Sequence, residues 1–199
     1  MRTLFFDVST NVMYVGIAKD DILIDYSIRI AQRDHAKYLV DRIDQILKRN
    51  KLSLSKIDEL IIGYGPGSYT GIRIAVVVGK MLAYARNIKL KTVSSLFFMT
   101  SGYEGKVAPM VDARRGYVFS GIYENGNTLL EDGYRLFTEL QQLELYKQAQ
   151  TILIDDRSFM VNPKLIREKG IVVDDIHGLV PHYLRRTEAE SHADQKSET

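Results

Sequence analysis

The nine residues Gly65-Pro66-Gly67-Ser68-Tyr69-Thr70-Gly71-Ile72-Arg73 constrain the fold of this chain more than any other stretch. They follow Leu60-Ile61-Ile62, a short apolar run that reads as a buried strand. They open an apolar segment that reads as a helix from about Thr70 to Asn87. Glycine adopts backbone angles that other residues avoid, and it lets a second backbone or an anion come close. Ser68 or Thr70 suits the N-cap, and the free N–H groups of a helix start favour an anion. Arg73, in the first turn, adds a guanidinium fork. Gly65, Gly67, Ser68, Thr70 and Arg73 are therefore candidate nucleotide or anion contacts. A sharp turn with a tight helix–sheet contact would use the same glycines, so both readings stand. The segment is not a Walker loop, because Gly79-Lys80 lies inside the helix at the wrong spacing. It is not GxGxxG either, since Thr70 stands where the third glycine belongs.

The helix after the turn carries its own demand. Ile72, Ile74, Ala75, Val76, Val77, Val78, Met81, Leu82 and Ala83 cover nearly all of its circumference. A helix apolar all round must be covered all round, and one sheet covers one side. Gly71, Ala75, Gly79 and Ala83 also line up at i, i+4 spacing, a small-residue stripe that admits another backbone. Gly71, Ala75, Val78, Gly79 and Leu82 are thus candidate partner contacts. Burial between the sheet and the chain's own second lobe is the alternative. On the partner reading, Ala75→Glu or Gly79→Arg abolishes dimerisation and leaves the fold intact.

Around this unit the pattern gives an order of elements. Residues 2–8 and 12–18 are apolar runs joined by Ser9-Thr10-Asn11, an antiparallel hairpin. Ile22, Ile24, Tyr26, Ile28 and Ile30 alternate as a third strand with one buried face. A helix runs from about His35 to Asn50, with Asp34 as N-cap and a stripe of Leu39, Ile43, Ile46 and Leu47. Residues 88–93 read as a strand and 95–101 as a short helix. The run 101–105 marks a lobe boundary, and 107–112 and 117–123 form a second hairpin. A helix at about 138–148, a strand at 151–154, a helix at about 163–169 and a strand at 171–173 complete the order. No internal repeat is visible. An antiparallel meander followed by crossover units makes an α/β mixed sheet with helices against it. That order occurs in the first lobe of actin-like ATPase folds. The expected division is a first lobe over 1–101, a smaller second lobe over 102–186 and a mobile tail over 187–199, where only two alanines are apolar.

Composition removes whole classes of chemistry. The chain of 199 residues has no cysteine, which excludes disulfides, thiolate metal sites and a cysteine nucleophile. The formal net charge of +2 makes no case for a large nucleic-acid footprint. No stretch approaches the ~20 apolar residues of a membrane helix, and Asp7 interrupts the first apolar run too early for a signal peptide. A cytoplasmic location is expected. The four histidines, His35, His177, His182 and His192, offer no i, i+4 ligand pair, so no metal site and no catalytic residue is expected. Asp7, followed by Ser9 and Thr10, ends the first strand. It reads equally as a metal or phosphate contact and as a turn cap. Asp112-Ala113-Arg114-Arg115-Gly116 reads as an exposed hairpin tip.

Taken together, these motifs resemble the TsaB (YeaZ) family of tRNA threonylcarbamoyladenosine biosynthesis. Asp7-Val8-Ser9-Thr10 is similar to the family's early strand end. Arg33-Asp34-His35 echoes its Arg-Glu-His helix start. Gly65 to Arg73 matches Gly-Pro-Gly-Ser-Phe-Thr-Gly-Leu-Arg with Tyr69 for Phe and Ile72 for Leu. Asp112 to Gly116 matches Asp-Ala-Arg-Arg-Gly, with Tyr117 where Glu is usual, and Pro181-His182-Tyr183-Leu184-Arg185 matches the closing Pro-x-Tyr-Leu-Arg. The resemblance implies an actin-like ATPase (ASKHA, ribonuclease H-like) fold of two lobes, the second one reduced. It implies a scaffold without catalysis of its own that forms a heterodimer with the catalytic TsaD subunit through its N-terminal helices. That adds His35, Tyr38, Leu39 and Arg42 to the candidate interface. TsaE joins the assembly, tRNA is met indirectly, and the chain alone forms a homodimer. No cofactor is held tightly, with ATP or ADP and Mg at the partner interface. A small ATP-dependent kinase or ATPase of the same fold is the alternative.

Overall fold

The computed structural model describes residues 1–30 and 34–185. Arg33 and the expected tail lie outside the described residues. Three strands open the chain: β1 (Arg2–Asp7), β2 (Val12–Lys19) and β3 (Ile22–Ile30). Then come α1 (His35–Arg49), β4 (Glu59–Gly63), α2 (Tyr69–Arg86), β5 (Lys89–Val93) and α3 (Ser95–Thr100). The second half holds β6 (Lys106–Asp112), β7 (Tyr117–Glu124), β8 (Asn127–Leu136), α4 (Phe137–Leu140) and α5 (Glu144–Lys147). It ends with β9 (Gln150–Leu153), α6 (Pro163–Lys169) and β10 (Ile171–Val172).

The first sheet has the order β10-β5-β4-β1-β2-β3. The meander β1–β2–β3 is antiparallel, while β4 and β5 run parallel to β1. This is the actin-like, ribonuclease H-like arrangement. The second sheet, β8-β7-β6-β9, repeats the β3-β2-β1-β4 part of the first: an antiparallel meander and one parallel strand beside the meander's first strand. The repeat unseen in the sequence is thus a repeat of strand order, and the second copy is the shorter. The range assigned to the second lobe does not stay there, because β10 pairs with β5 of the first sheet. Among the described residues no helix is long and apolar enough to cross a membrane.

β1 is covered on both faces, which is why Leu4-Phe5-Phe6 reads as an unbroken apolar run. Leu4 and Phe6 face α1 and α2 with Met13, Leu39, Ile62 and Ala75. Phe5 faces α3 and the second lobe with Phe98, Val107, Tyr123 and Ile152. Burying each such side chain contributes about 1.5–3 kcal/mol.

Three expectations change here. Asp34 stands at the N-cap of α1 but makes no cap bond; its carboxylate pairs with Arg29 at 2.6 Å. The alternation of β3 is broken by a register shift against β2, so Leu23, not Ile22, shares a face with Tyr26 and Ile28. Tyr26 and Ile30 on that face are exposed. The helix expected at 138–148 is two short helices.

The small-residue stripe is corrected as well. Ala75 is fully buried, and Gly71 and Gly79 are buried too. A Cβ on Gly79 would stand 2.9 Å from Ile62 Cδ1, so the stripe seats α2 on its own sheet. Val78, His35 and Leu39 are likewise buried within the chain, while Tyr38, Arg42 and Leu82 are half-buried. The other flank of α2 is covered by the chain's own C-terminal strap, residues 173–185. Ile176 and Leu179 pack on the core there, and Lys80 Nζ donates to the carbonyls of His177 at 2.7 Å and Leu179 at 3.1 Å. What stays bare on α2 is Val77, Met81 and Tyr84.

Candidate functional site

A cleft of about 1220 Å³ opens between the lobes. Its first wall is the β1–β2 turn and the start of α2, including Ser9, Gly67, Ser68 and Thr70. Its second wall is the β6–β7 turn with Asp112 and Arg114, the end of β9 with Asp155 and Asp156, and Phe119. The strap closes one side with residues 182–185.

The first wall is built by close approach. Cβ atoms on Gly67 and Gly71 would stand 2.5 Å from the Ser9 carbonyl and 2.0 Å from the Val8 carbonyl. No side chain fits there, which lets Ser68 N–H donate to the Ser9 carbonyl at 2.6 Å. The helix start is thereby pinned to the hairpin turn. Ser68 Oγ caps it by accepting from Gly71 N–H at 3.4 Å. The tight-contact reading of the glycines is therefore realised. Ser9, Gly67, Ser68 and Thr70 also reach the cleft, where the N-terminus of α2 offers partial positive charge.

The other anion candidates stand elsewhere. Asp7 is fully buried beneath the turn and does not line the cleft. Its Oδ1 accepts from Ser9 N–H at 2.8 Å and Ser9 Oγ at 2.7 Å. Its Oδ2 makes no hydrogen bond of ordinary geometry, although the Ser95 hydroxyl is near enough to favour the charge. Burial outweighs these helpers and pushes the Asp7 carboxyl above its ordinary range. Gly65 packs against the His182 carbonyl. Arg73 leaves the cleft. Its Nε donates to Tyr183 Oη at 2.7 Å, its guanidinium lies 4.0 Å over the Tyr69 ring, and it also donates to Tyr69 Oη.

His35 was expected at a partner surface but lies on the cleft wall, where its Nε2 bonds the Thr10 carbonyl at 2.8 Å. Asp112 accepts from Arg114 N–H at 2.8 Å. Asp155 accepts from the N–H groups of Arg157 and Ser158, both at 2.8 Å, and these bonds hold its carboxyl below the usual range. Both are turn caps that also face the cleft. Among the described residues no three His, Asp or Glu side chains group as a metal site would need. The cleft thus presents amide donors and hydroxyls on one wall and charged turns on the other.

Two features escaped the sequence. The strap had no periodicity to read, although its closing motif was visible; His182 stacks on Tyr64 at 5.4 Å and Arg185 reaches the Ala113 carbonyl at 3.5 Å. The second is a polar knot joining the lobes. Asp132 accepts from Ser94 Oγ at 2.6 Å and from Tyr123 Oη, and burial raises its carboxyl despite both bonds. It rests on β8, a strand whose Glu131, Asp132 and Gly133 hide the alternation.

A family model described as TsaD: tRNA N6-adenosine threonylcarbamoyltransferase matches residues 28–160. The chain is 29% identical to the tRNA threonylcarbamoyladenosine biosynthesis protein TsaB of Bacillus subtilis (strain 168) over an alignment of 224 residues. That alignment covers 96% of this chain and 97% of the relative. Against the Escherichia coli (strain K12) protein of the same name it is 26% identical, covering 91% of this chain and 82% of the relative. Among solved structures, YeaZ from Pseudomonas aeruginosa superposes with a TM-score of 0.72 at 21% identity. It covers 92% of this chain and 99% of its own, a likeness of fold.

Proposed function

This chain belongs to the TsaD family of tRNA N6-adenosine threonylcarbamoyltransferases, on its TsaB branch, and on that premise we propose that it is a non-catalytic scaffold and activator subunit for forming N6-threonylcarbamoyladenosine in tRNA. The observation that supports this reading is the place of Asp7. A strand-end acid that served phosphate or metal chemistry would face the cleft. Here it is sealed under the turn with one oxygen spent on Ser9. A small ATP-dependent kinase or ATPase of this fold would need that acid in the cleft, so the scaffold reading is preferred.

On this reading the chain works in the cytoplasm as a heterodimer with a catalytic TsaD subunit, TsaE joins the assembly, and tRNA is met through the partner. ATP or ADP with Mg belongs to the partner interface. Toward such a nucleotide this chain offers phosphate oxygens the α2 N-terminus and the hydroxyls of Ser68 and Thr70. Toward Mg it offers no trio of carboxylates among the described residues.

The test is depletion of the protein followed by mass spectrometry of bulk tRNA. The expected result is loss of threonylcarbamoyladenosine, restored by the wild-type chain. Unchanged modification after depletion overturns the role.

A further inference from the structure

Tyr117, which stands where the family usually carries Glu, is one ring of a ladder on the second lobe. It stacks on Tyr134 with ring centroids 4.5 Å apart and planes 3° apart. Phe119, two residues further along β7, lies on the same face of the sheet. It is the cross-strand partner of Tyr134, with ring centroids 5.7 Å apart. The opposite face of β7 is closed by the lobe's own core, where Val118 clusters with Met110 and Leu140. The three ladder rings pack against none of the core's apolar clusters, and each is only half-buried. Phe119 lines the cleft, and Tyr117 stands at its lip beside the β6–β7 turn.

Two cations frame the ladder. The Arg185 guanidinium lies 5.7 Å over the Tyr134 ring, and Arg114 is exposed on the turn; both line the cleft. Rings beside guanidinium groups suit a nucleotide, because every base has a face to stack and Arg pairs with phosphate. The same cleft is lined by the carboxylates of Asp112, Asp155 and Asp156. These oppose the several charges gathered on a free triphosphate. A phosphodiester carries one charge per nucleotide and meets far less repulsion. The cleft of about 1220 Å³ also exceeds the roughly 300–1,000 Å³ usual for a small-molecule site, so it has room for a run of nucleotides. Bases inside a duplex already have both faces stacked, so only an unpaired segment can offer them to the rings.

We propose that the ladder of Tyr117, Tyr134 and Phe119, with Arg114 and Arg185 at its rim, binds unpaired bases of single-stranded RNA, so that this chain touches a looped segment of tRNA directly as well as through its partner. The choice of RNA rests on the TsaB reading above, and the direct contact goes beyond it. Tyr117 gives this chain a ring that the usual Glu would replace with a charge repelling phosphate.

The experiment uses the full chain and fluorescence anisotropy of a labelled RNA hairpin with an unpaired loop. A blunt RNA duplex and ATP serve as competitors. The wild-type chain is expected to bind the looped hairpin, more weakly as salt rises, and neither competitor is expected to displace it. Tyr117→Glu and Tyr134→Ala are each expected to weaken binding about tenfold, while Tyr134→Phe, which keeps a stacking ring, stays within about twofold of wild type. Cross-strand aromatic pairs also stabilise a sheet, so circular dichroism melts establish that each variant is folded at the assay temperature. Arg114→Gln leaves the ladder intact and is expected to lower the slope of log affinity against log salt by about one. A wild-type chain that does not bind the looped hairpin overturns the proposal. So does binding that Tyr117→Glu and Tyr134→Ala both leave unchanged, or that ATP displaces. Each of these leaves the scaffold role standing, because that role is read from tRNA modification after depletion. Unchanged modification there overturns the role and this proposal with it.

Discussion

Asp7 shows how burial governs the charge of a single side chain. Its carboxyl sits above its ordinary value because burial disfavours the charge more than Ser9 and Ser95 favour it. The folded state therefore holds its proton to higher pH than the unfolded state does. Its contribution to stability is fully present below the unfolded pKa of about 3.9 and is lost as pH rises through the folded value. Asp7→Asn keeps an acceptor for Ser9 and removes the charge. The expected outcome is a higher Tm at neutral pH than wild type, with the difference shrinking as pH falls toward 4. Differential scanning calorimetry across that range checks it, and a lower Tm at neutral pH would show that the ionised form is needed. Arg73 makes the companion point. A guanidinium near a glycine-rich turn reads as an anion ligand in sequence, but its i, i+4 neighbour Tyr69 and the distant Tyr183 hold it facing away from the cleft.

At the scale of the element, α2 carries the main lesson. Its stripe of small residues was legible, but what the stripe packs against was not. Gly79 faces Ile62 and Leu90 of its own sheet, and Ala75 has no exposed surface. Ala75→Glu and Gly79→Arg should therefore destabilise the fold itself, by 4 kcal/mol or more on the order of other buried charges and overpacked cores. Urea denaturation checks this; wild-type midpoints would return the stripe to the surface. The sequence was informative wherever burial was local or two-sided. Leu4-Phe5-Phe6, Leu60-Ile61-Ile62 and the stripe of α1 all lie where their pattern puts them. It was uninformative where a distant segment or one extra residue decides. The bulge in β3 turns Ile22 off the face of Tyr26, the polar run in β8 hides a strand, and the strap covers a helix about ninety residues before it. In the site, the turn residues Ser9, Gly67, Ser68 and Thr70 were readable because turn chemistry is local. His35, the knot at Asp132 and the strap were not, because each takes its role from contacts remote in the chain.

For the whole molecule, the two lobes are not independent. One apolar cluster contains Phe5 and Phe98 from the first lobe and Val107, Tyr123 and Ile152 from the second. The knot of Ser94, Tyr123 and Asp132 ties the same junction. Shared burial of this kind makes domains unfold together. Urea curves followed by tyrosine fluorescence and by far-ultraviolet circular dichroism should coincide in one transition, and two separated midpoints would refute it. Tyr123→Phe should lower the unfolding free energy read from that common transition by about 1–3 kcal/mol, for an acceptor left short of a donor. The strap has a consequence in time as well. It is made roughly a hundred residues after α2, which at about 5–20 residues per second is a delay of several to some twenty seconds on the ribosome. Through that interval the nascent chain carries α2 with its flank uncovered. The order of synthesis alone thus creates a window in which a chaperone, or a partner chain translated nearby, meets the helix before its own C-terminus does.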